Sequence, residues 1–364
     1  MKPQAIYYYI GLVLLTMGLT SCKKDNPVTP NQYVPGPGLT YGANALTTYN
    51  GNLIAGSYDT VFQWNGSKWS PLTGSSFGGS TISALQVYNG NLIAAAGNYV
   101  ESWNGSSWQL IGAFSNGVAA LAVYNGNLYA AGFFFSVGGN PDTGIAEWTG
   151  SSWIAVGPGL YGGVNALTVY SGNLIAAGGI TRSGNTNINM IAQWNGSAWY
   201  TVGGFGSILY SVNALAIYNG NLIAGGRFTD IIGPGDTATS IAQWNGSAWA
   251  SIGTSLFSGG FYNTYIPPII LNFTIYNNNL VAVGYFGLGN SASDLGIWNG
   301  SAWSTIAGLT YIRPPNDYSR PSPITFNCCT IYNGNLVISG GFNTAGSLSV
   351  SNIAMWNGSA WSAL

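Results

Sequence analysis

The chain has no histidine among its 364 residues. Ser–His–Asp and Cys–His nucleophile systems are therefore excluded, as are zinc or copper sites held by imidazole. Nine acidic residues, eight basic residues and three cysteines remain to do chemistry. A carboxylate pair of the kind that hydrolyses glycosides stays open through Asp230 and Asp236, with Asp294 and Asp317 further along. Asp230, Asp236 and nearby carbonyls also offer oxygen ligands to Ca²⁺, although their spacing matches no known calcium loop. No glycine-rich phosphate loop stands out, and no cofactor is expected. A second constellation is Arg227, Asp230, Tyr262, Tyr265, Arg313 and Tyr318. Flat rings stack on apolar faces and fixed polar groups set orientation, so this set suits recognition of a glycan, a peptide or a protein.

The elements that carry these residues are announced by tryptophan. All fourteen tryptophans fall in seven copies of Trp-Asn-Gly-Ser-x-Trp, from Trp64/Trp69 to Trp356/Trp361. Thr149 replaces the asparagine in the third copy. The copies recur at intervals that grow from about 40 to almost 60 residues, the period of four-stranded propeller blades. Each unit reads as strand A (213–218 in the fifth), an Asn-Gly turn, strand B (222–226), a loop, strand C (240–244), a second Asn-Gly turn and strand D (248–253). Two-residue type I′ turns are expected at both Asn-Gly pairs. That register sets Trp244 opposite Ser247 and Trp249 opposite Ala242, a diagonal pair on one face. A buried ring contributes roughly 4–6 kcal/mol, so the tryptophans read as adhesive between blades rather than as a ligand ladder. The repeated Asn-Gly-Ser is a nominal glycosylation sequon, but a turn role accounts for Thr149 and a glycan does not.

Two features resemble the kelch or galactose-oxidase type of propeller over about residues 40 to 364. One is the Gly-Gly closing strand B, as at Gly178-Gly179, Gly225-Gly226 and Gly340-Gly341; the other is the aromatic pair flanking the C–D turn. Blades 1, 2, 3 and 6 lack a full Gly-Gly, and tryptophan replaces the family's usual tyrosine on strand C. The reading is an all-β, seven-bladed β-propeller of four-stranded antiparallel blades over 41–364. Its blades fall at about 41–74, 80–112, 117–157, 163–203, 211–253, 269–307 and 324–364. The resemblance implies a binding scaffold rather than one activity. Galactose-oxidase copper chemistry needs histidine ligands and is ruled out here.

Strand parity places the A–B and C–D turns on one face and the B–C and D–A connections on the other. All length variation lies in the second set, so function is expected on that rim. Most charges beyond residue 40 fall there too, including Asp142, Arg182, Arg227, Asp230, Asp236, Asp294, Arg313, Asp317 and Arg320. The longest insertions are 257–268 and 311–321. Blades 1 and 2 have short B–C connections, which leaves the rim low there and high over blades 3 to 7. Charged residues are only 5% of the chain, against about 25% ordinarily, and no basic stripe exists. Nucleic acid is not an expected partner.

The first 21 residues read as a signal peptide, with Lys2 ahead of an apolar run from Ala5 to Leu19. Leu19-Thr-Ser-Cys22 resembles the bacterial lipobox, which implies acylation (palmitate or a similar chain) at Cys22. In that family Asp after the cysteine retains the protein at the inner membrane, so Lys23 points to the outer membrane of the cell envelope. Residues 22–40 form a Pro-rich tether that reaches roughly 50 Å if extended. Its end, Val34–Leu39, is expected at the seam between blades 1 and 7. Cys328 and Cys329 are adjacent on strand A of blade 7, where alternation sends them to opposite faces. Two buried thiols are one reading and a vicinal disulfide the other. The whole reads as a monomeric, lipid-anchored binding or scaffold propeller that meets the membrane only through its lipid. A carbohydrate-active enzyme using rim aspartates, or a structural envelope protein with no small ligand, are the alternatives.

Overall fold

The computed structural model describes residues 37–137, 140–141, 144–203, 211–233, 236–253, 268–288, 291–292, 295–311 and 326–364. The described chain is all-β and propeller-like. Seven four-stranded antiparallel sheets form, each in simple A-B-C-D order and each from one continuous stretch of chain. Their A strands are Ala45–Tyr49, Ile82–Tyr88, Val118–Tyr124, Val164–Tyr170, Ser211–Tyr218, Ile269–Tyr276 and Phe326–Tyr332. Each A strand packs against the next, and the first packs against the seventh. The core is divided accordingly into seven clusters, each joining two adjacent sheets. Ile175, Ala177 and Ile191 of the fourth sheet, for example, meet Val212, Leu222 and Trp249 of the fifth.

The A–B connections are the two-residue turns that the sequence predicts. Asn219 and Gly220 both take positive φ, 48° and 78°, and Tyr218 lies opposite Asn221. The C–D connections differ from expectation. Trp244 lies directly opposite Trp249, not Ser247, and the same direct pairing recurs in every sheet. The loop is four residues long because the asparagine side chain organises it. Asn245 Oδ1 accepts from the backbone N–H of Ser247 at 2.9 Å and of Ala248 at 3.0 Å. Asn245 keeps ordinary φ and only Gly246 is positive. In the third sheet Thr149 Oγ1 accepts from Ser152 N–H and so replaces the amide. Paired rings stand 5.2–5.6 Å apart between centroids, tilted by 44–53°.

The second tryptophan of a pair reaches across to the preceding sheet. Its Nε1–H donates to the carbonyl of Leu72, Ile111, Val156, Val202, Ile252 or Ala307, at 2.8–3.1 Å. Trp69 is different: its Nε1 is buried with no hydrogen-bond partner. The neighbour of its sheet is the seventh, which no connection joins to the first. That seam is held in another way. Leu39 N–H donates to Ser351, Ser351 N–H donates to Pro37, and Asn352 Nδ2 donates to the carbonyls of Leu39 and Thr40. Leu39 is buried with Leu53 and Ala55 of the first sheet and Val337 and Ile353 of the seventh. Within the described part of the tether, the expected placement at the seam is correct.

Candidate functional site

Connections B–C and D–A meet on one face. Tyr161, leading into the fourth sheet, bridges to Arg182 of that sheet's B–C hairpin. Leu309–Thr310 pairs likewise with Thr344–Ala345, and Ser115 N–H donates to Ser136. B–C hairpins rise from the third to the seventh sheets, whereas Ser57 N–H closes onto Thr60 in a tight turn and Tyr99 pairs directly with Ala96. The rim is therefore low over the first two sheets and high over the rest.

The chain builds one set of rim positions from a steric rule. From the third sheet on, strand B carries a glycine opposite the start of strand A, as at Gly132, Gly178 and Gly226. Any Cβ there would collide with the carbonyl of Gly117, Gly163 or Ser211. The following residue is unrestricted: a Cβ on Gly179 meets nothing within 4 Å. This is why the second glycine of the pair is absent from several sheets. In register with Gly179 stand Phe133 in the third sheet, Arg227 in the fifth and Tyr285 in the sixth; the Gly225-Gly226 pair of the fifth sheet lies one residue earlier, with Gly226 at the restricted position. Phe133 is 48% exposed, and its ring lies over Gly163 of the next sheet. Phe135 beside it is 69% exposed. Arg182 stacks on Tyr161 with Cζ 3.9 Å from the ring centroid. Tyr41 and Tyr58 pair at 5.8 Å on the low side.

Of the residues singled out from sequence, Arg227 is half-buried and lies opposite Ser211, on the rim as expected. Asp230 and Asp236 are not in a loop. They belong to strands Asn221–Gly233 and Asp236–Trp244, with Asp230 opposite Ala238 and Asp236 opposite Gly233. The β-branched run Thr229-Asp230-Ile231 against Thr237-Ala238-Thr239 prolongs the hairpin where a loop was expected. Tyr262, Tyr265, Arg313, Tyr318, Cys22, Asp142, Asp294, Asp317 and Arg320 lie outside the described residues, as do most of both long insertions. No group of three His, Cys, Asp or Glu able to hold a metal occurs among the described residues.

Sequence reading missed the axis. A cavity of about 260 Å³ is lined by the A strands of all seven sheets. Each strand places there the residue five before its tyrosine: Asn44, Ser83, Ala119, Asn165, Asn213, Leu271 or Asn327. From the second sheet on, that residue is the extra one of a β-bulge, as where Val212 opposes Gly226 and Ala214 opposes Gly225. A bulge leaves its residue outside the ladder and re-aims its side chain. Ser83 Oγ donates to Val118 at 2.6 Å, Asn165 Nδ2 to Val212 at 3.1 Å and Asn213 Nδ2 to Ile270 at 3.4 Å. Each bond runs to the next sheet. Aligning the repeats on their tyrosines exposes the asparagine column at once.

Cys328 and Cys329 also line the cavity, both as buried free thiols rather than a disulfide. Cys328 Sγ donates to Ala43 of the first sheet and Cys329 Sγ to Asn272 of the sixth. Burial pushes both thiols well above their ordinary range, so they are neutral and poorly nucleophilic.

No family model matches the chain, and no curated protein matches it. Solved structures do match. The extracellular domain of BT4673 from B. thetaiotaomicron, described as part of a hybrid two component system, aligns with a TM-score of 0.56 and 11% identity over 86% of this chain. A second structure of it, described as a one component system, gives a TM-score of 0.57 and 10% identity. The chain spans 39% of the length of those domains. The computationally designed Ika8 protein aligns with a TM-score of 0.50 and 14% identity, covering 89% of this chain and 86% of its own. At such identities the likeness is one of fold alone, and 398 chains share it.

Proposed function

We propose that the chain is an exported binding protein: one seven-bladed propeller, lipid-anchored through Cys22 in the outer membrane, that recognises a glycan on its loop rim. One observation carries this reading. The position after the strand-B glycine bears Phe133, Gly179, Arg227 and Tyr285 in successive sheets, and at Gly179 a side chain would meet nothing within 4 Å. Two rings and a guanidinium flank an open floor, with Phe135 and the Arg182–Tyr161 stack beside them. Rings offer flat apolar contact to sugar faces, and the arginine orients hydroxyls. The closed circuit of A-strand packing supports seven blades, and the likeness to extracellular domains agrees with export.

A glycan array probed with the mature chain tests this. Binding to a subset of glycans, weakened about tenfold by Phe133→Ala and by Phe135→Ala, is the expected result. Retention of full binding by both variants, or binding to a peptide library alone, would overturn it.

A further inference from the structure

The axial cavity holds polar groups whose hydrogen-bonding capacity the fold does not use. Asn165 and Asn213 are engaged through their Nδ2 groups, and Asn213 Oδ1 also accepts from Ser211 Oγ at 2.8 Å. Asn272 Oδ1 accepts from Cys329 N–H at 3.1 Å, which leaves its Nδ2 group free to donate. Asn44 and Asn327 make no side-chain hydrogen bond among the described residues. These three sit on consecutive sheets, the sixth, seventh and first, so free donors and acceptors form a crescent on one side of the axis. Alanines and leucines of the same strands line the cavity one and two residues further on, as at Ala45–Leu46 and Ala166–Leu167. No ionised side chain lines it.

We propose that this cavity binds one neutral, hydroxyl-rich molecule of monosaccharide size, held by Asn44, Asn272 and Asn327. A primary amide presents a donor and an acceptor side by side and so matches a hydroxyl, which both gives and takes a hydrogen bond. A charged ligand would lose its hydration with no counter-charge to meet it, a cost that an uncharged polyol avoids. The volume of about 260 Å³ lies just under the ~300–1,000 Å³ of drug-sized clefts, which limits the occupant to one ring. The surface that lines the cavity is mostly polar, which suits a ligand that presents hydroxyls on all sides. The site shares no residue with the rim and stands whether or not the rim binds a glycan.

Saturation-transfer NMR and calorimetry on the mature chain test it, with D-glucose, D-galactose and myo-inositol as neutral probes and glucuronate and glucosamine as charged ones. At least one neutral probe should bind with millimolar affinity, and the charged probes about tenfold more weakly or not at all. Asn327→Leu and Asn44→Leu should each weaken that binding about tenfold. The Asn44 side chain is exposed and makes no hydrogen bond among the described residues, and its backbone bond to Gly56 does not depend on side-chain type, so its replacement leaves the fold intact even where Asn327→Leu does not. Leu110→Ser, on the outer edge of the second sheet, should leave binding unchanged. No binding of any neutral probe, equal binding of charged probes, or binding that survives both asparagine variants would each overturn the proposal.

Discussion

Glu101 shows how one residue departs from its repeat. Its column on strand C is otherwise small or apolar, with Ala146, Ala192, Ala242, Gly296 and Ala354. Glu101 is nonetheless buried, and Oε1 accepts one backbone N–H, from Ser76, at 2.8 Å. Burial raises its pKa above the ordinary glutamate range, and the Ser76 bond opposes this only in part. A carboxyl raised in the folded state stabilises the fold below its unfolded pKa. That contribution is lost as pH rises through the folded value. Glu101→Gln keeps an acceptor for Ser76 and removes the charge. It should match the parent at pH 4 and exceed it by on the order of 1 kcal/mol at pH 7. Thermal melts at the two pH values measure this, and an equal difference at both would show that ionisation is not the cause.

At the scale of elements, the tryptophan hairpin is both strand pair and rivet. Trp303 and Trp69 are alike in being half-buried, but only Trp303 has an acceptor, the carbonyl of Ile252 at 3.0 Å. Trp303→Phe removes that bond and strands a carbonyl, whereas Trp69→Phe removes a donor that had no partner. Trp303→Phe should therefore be the more destabilising by about 1–2 kcal/mol in urea unfolding, and equal losses would refute the rivet role. Much of this level was legible in sequence. Period, Asn-Gly pairs and the tryptophan column predicted strand number and order. The C–D register was misread because the asparagine side chain, rather than a type I′ turn, organises the loop. The axial asparagines were overlooked because a bulge breaks the two-residue alternation by which strand faces are read. Asp230 was placed in a loop because length variation was taken for irregular chain, while β-branched residues continue the ladder.

At the scale of the molecule, the ring has one joint unlike the others. Six neighbouring pairs of sheets share a connecting segment and a tryptophan–carbonyl bond. The seventh and first sheets share neither, and they meet through buried side chains and the Pro37–Thr40 segment lying along Ser351 and Asn352. Ala43 N–H adds a bond to Ser339 Oγ at 2.8 Å. Opening of the ring should therefore start at this joint, because local stability follows the contacts that opening must break. Leu39→Ala leaves a cavity in the joint and should cost about 2–5 kcal/mol if the site cannot collapse. Hydrogen exchange locates the effect. Amides of Ala45–Tyr49 and Phe326–Tyr332 should lose protection first, while Val164–Tyr170, on the far side of the ring, keeps its own. Equal loss of protection in all three strands would mean that the ring opens as a single unit and that the seam has no special weakness.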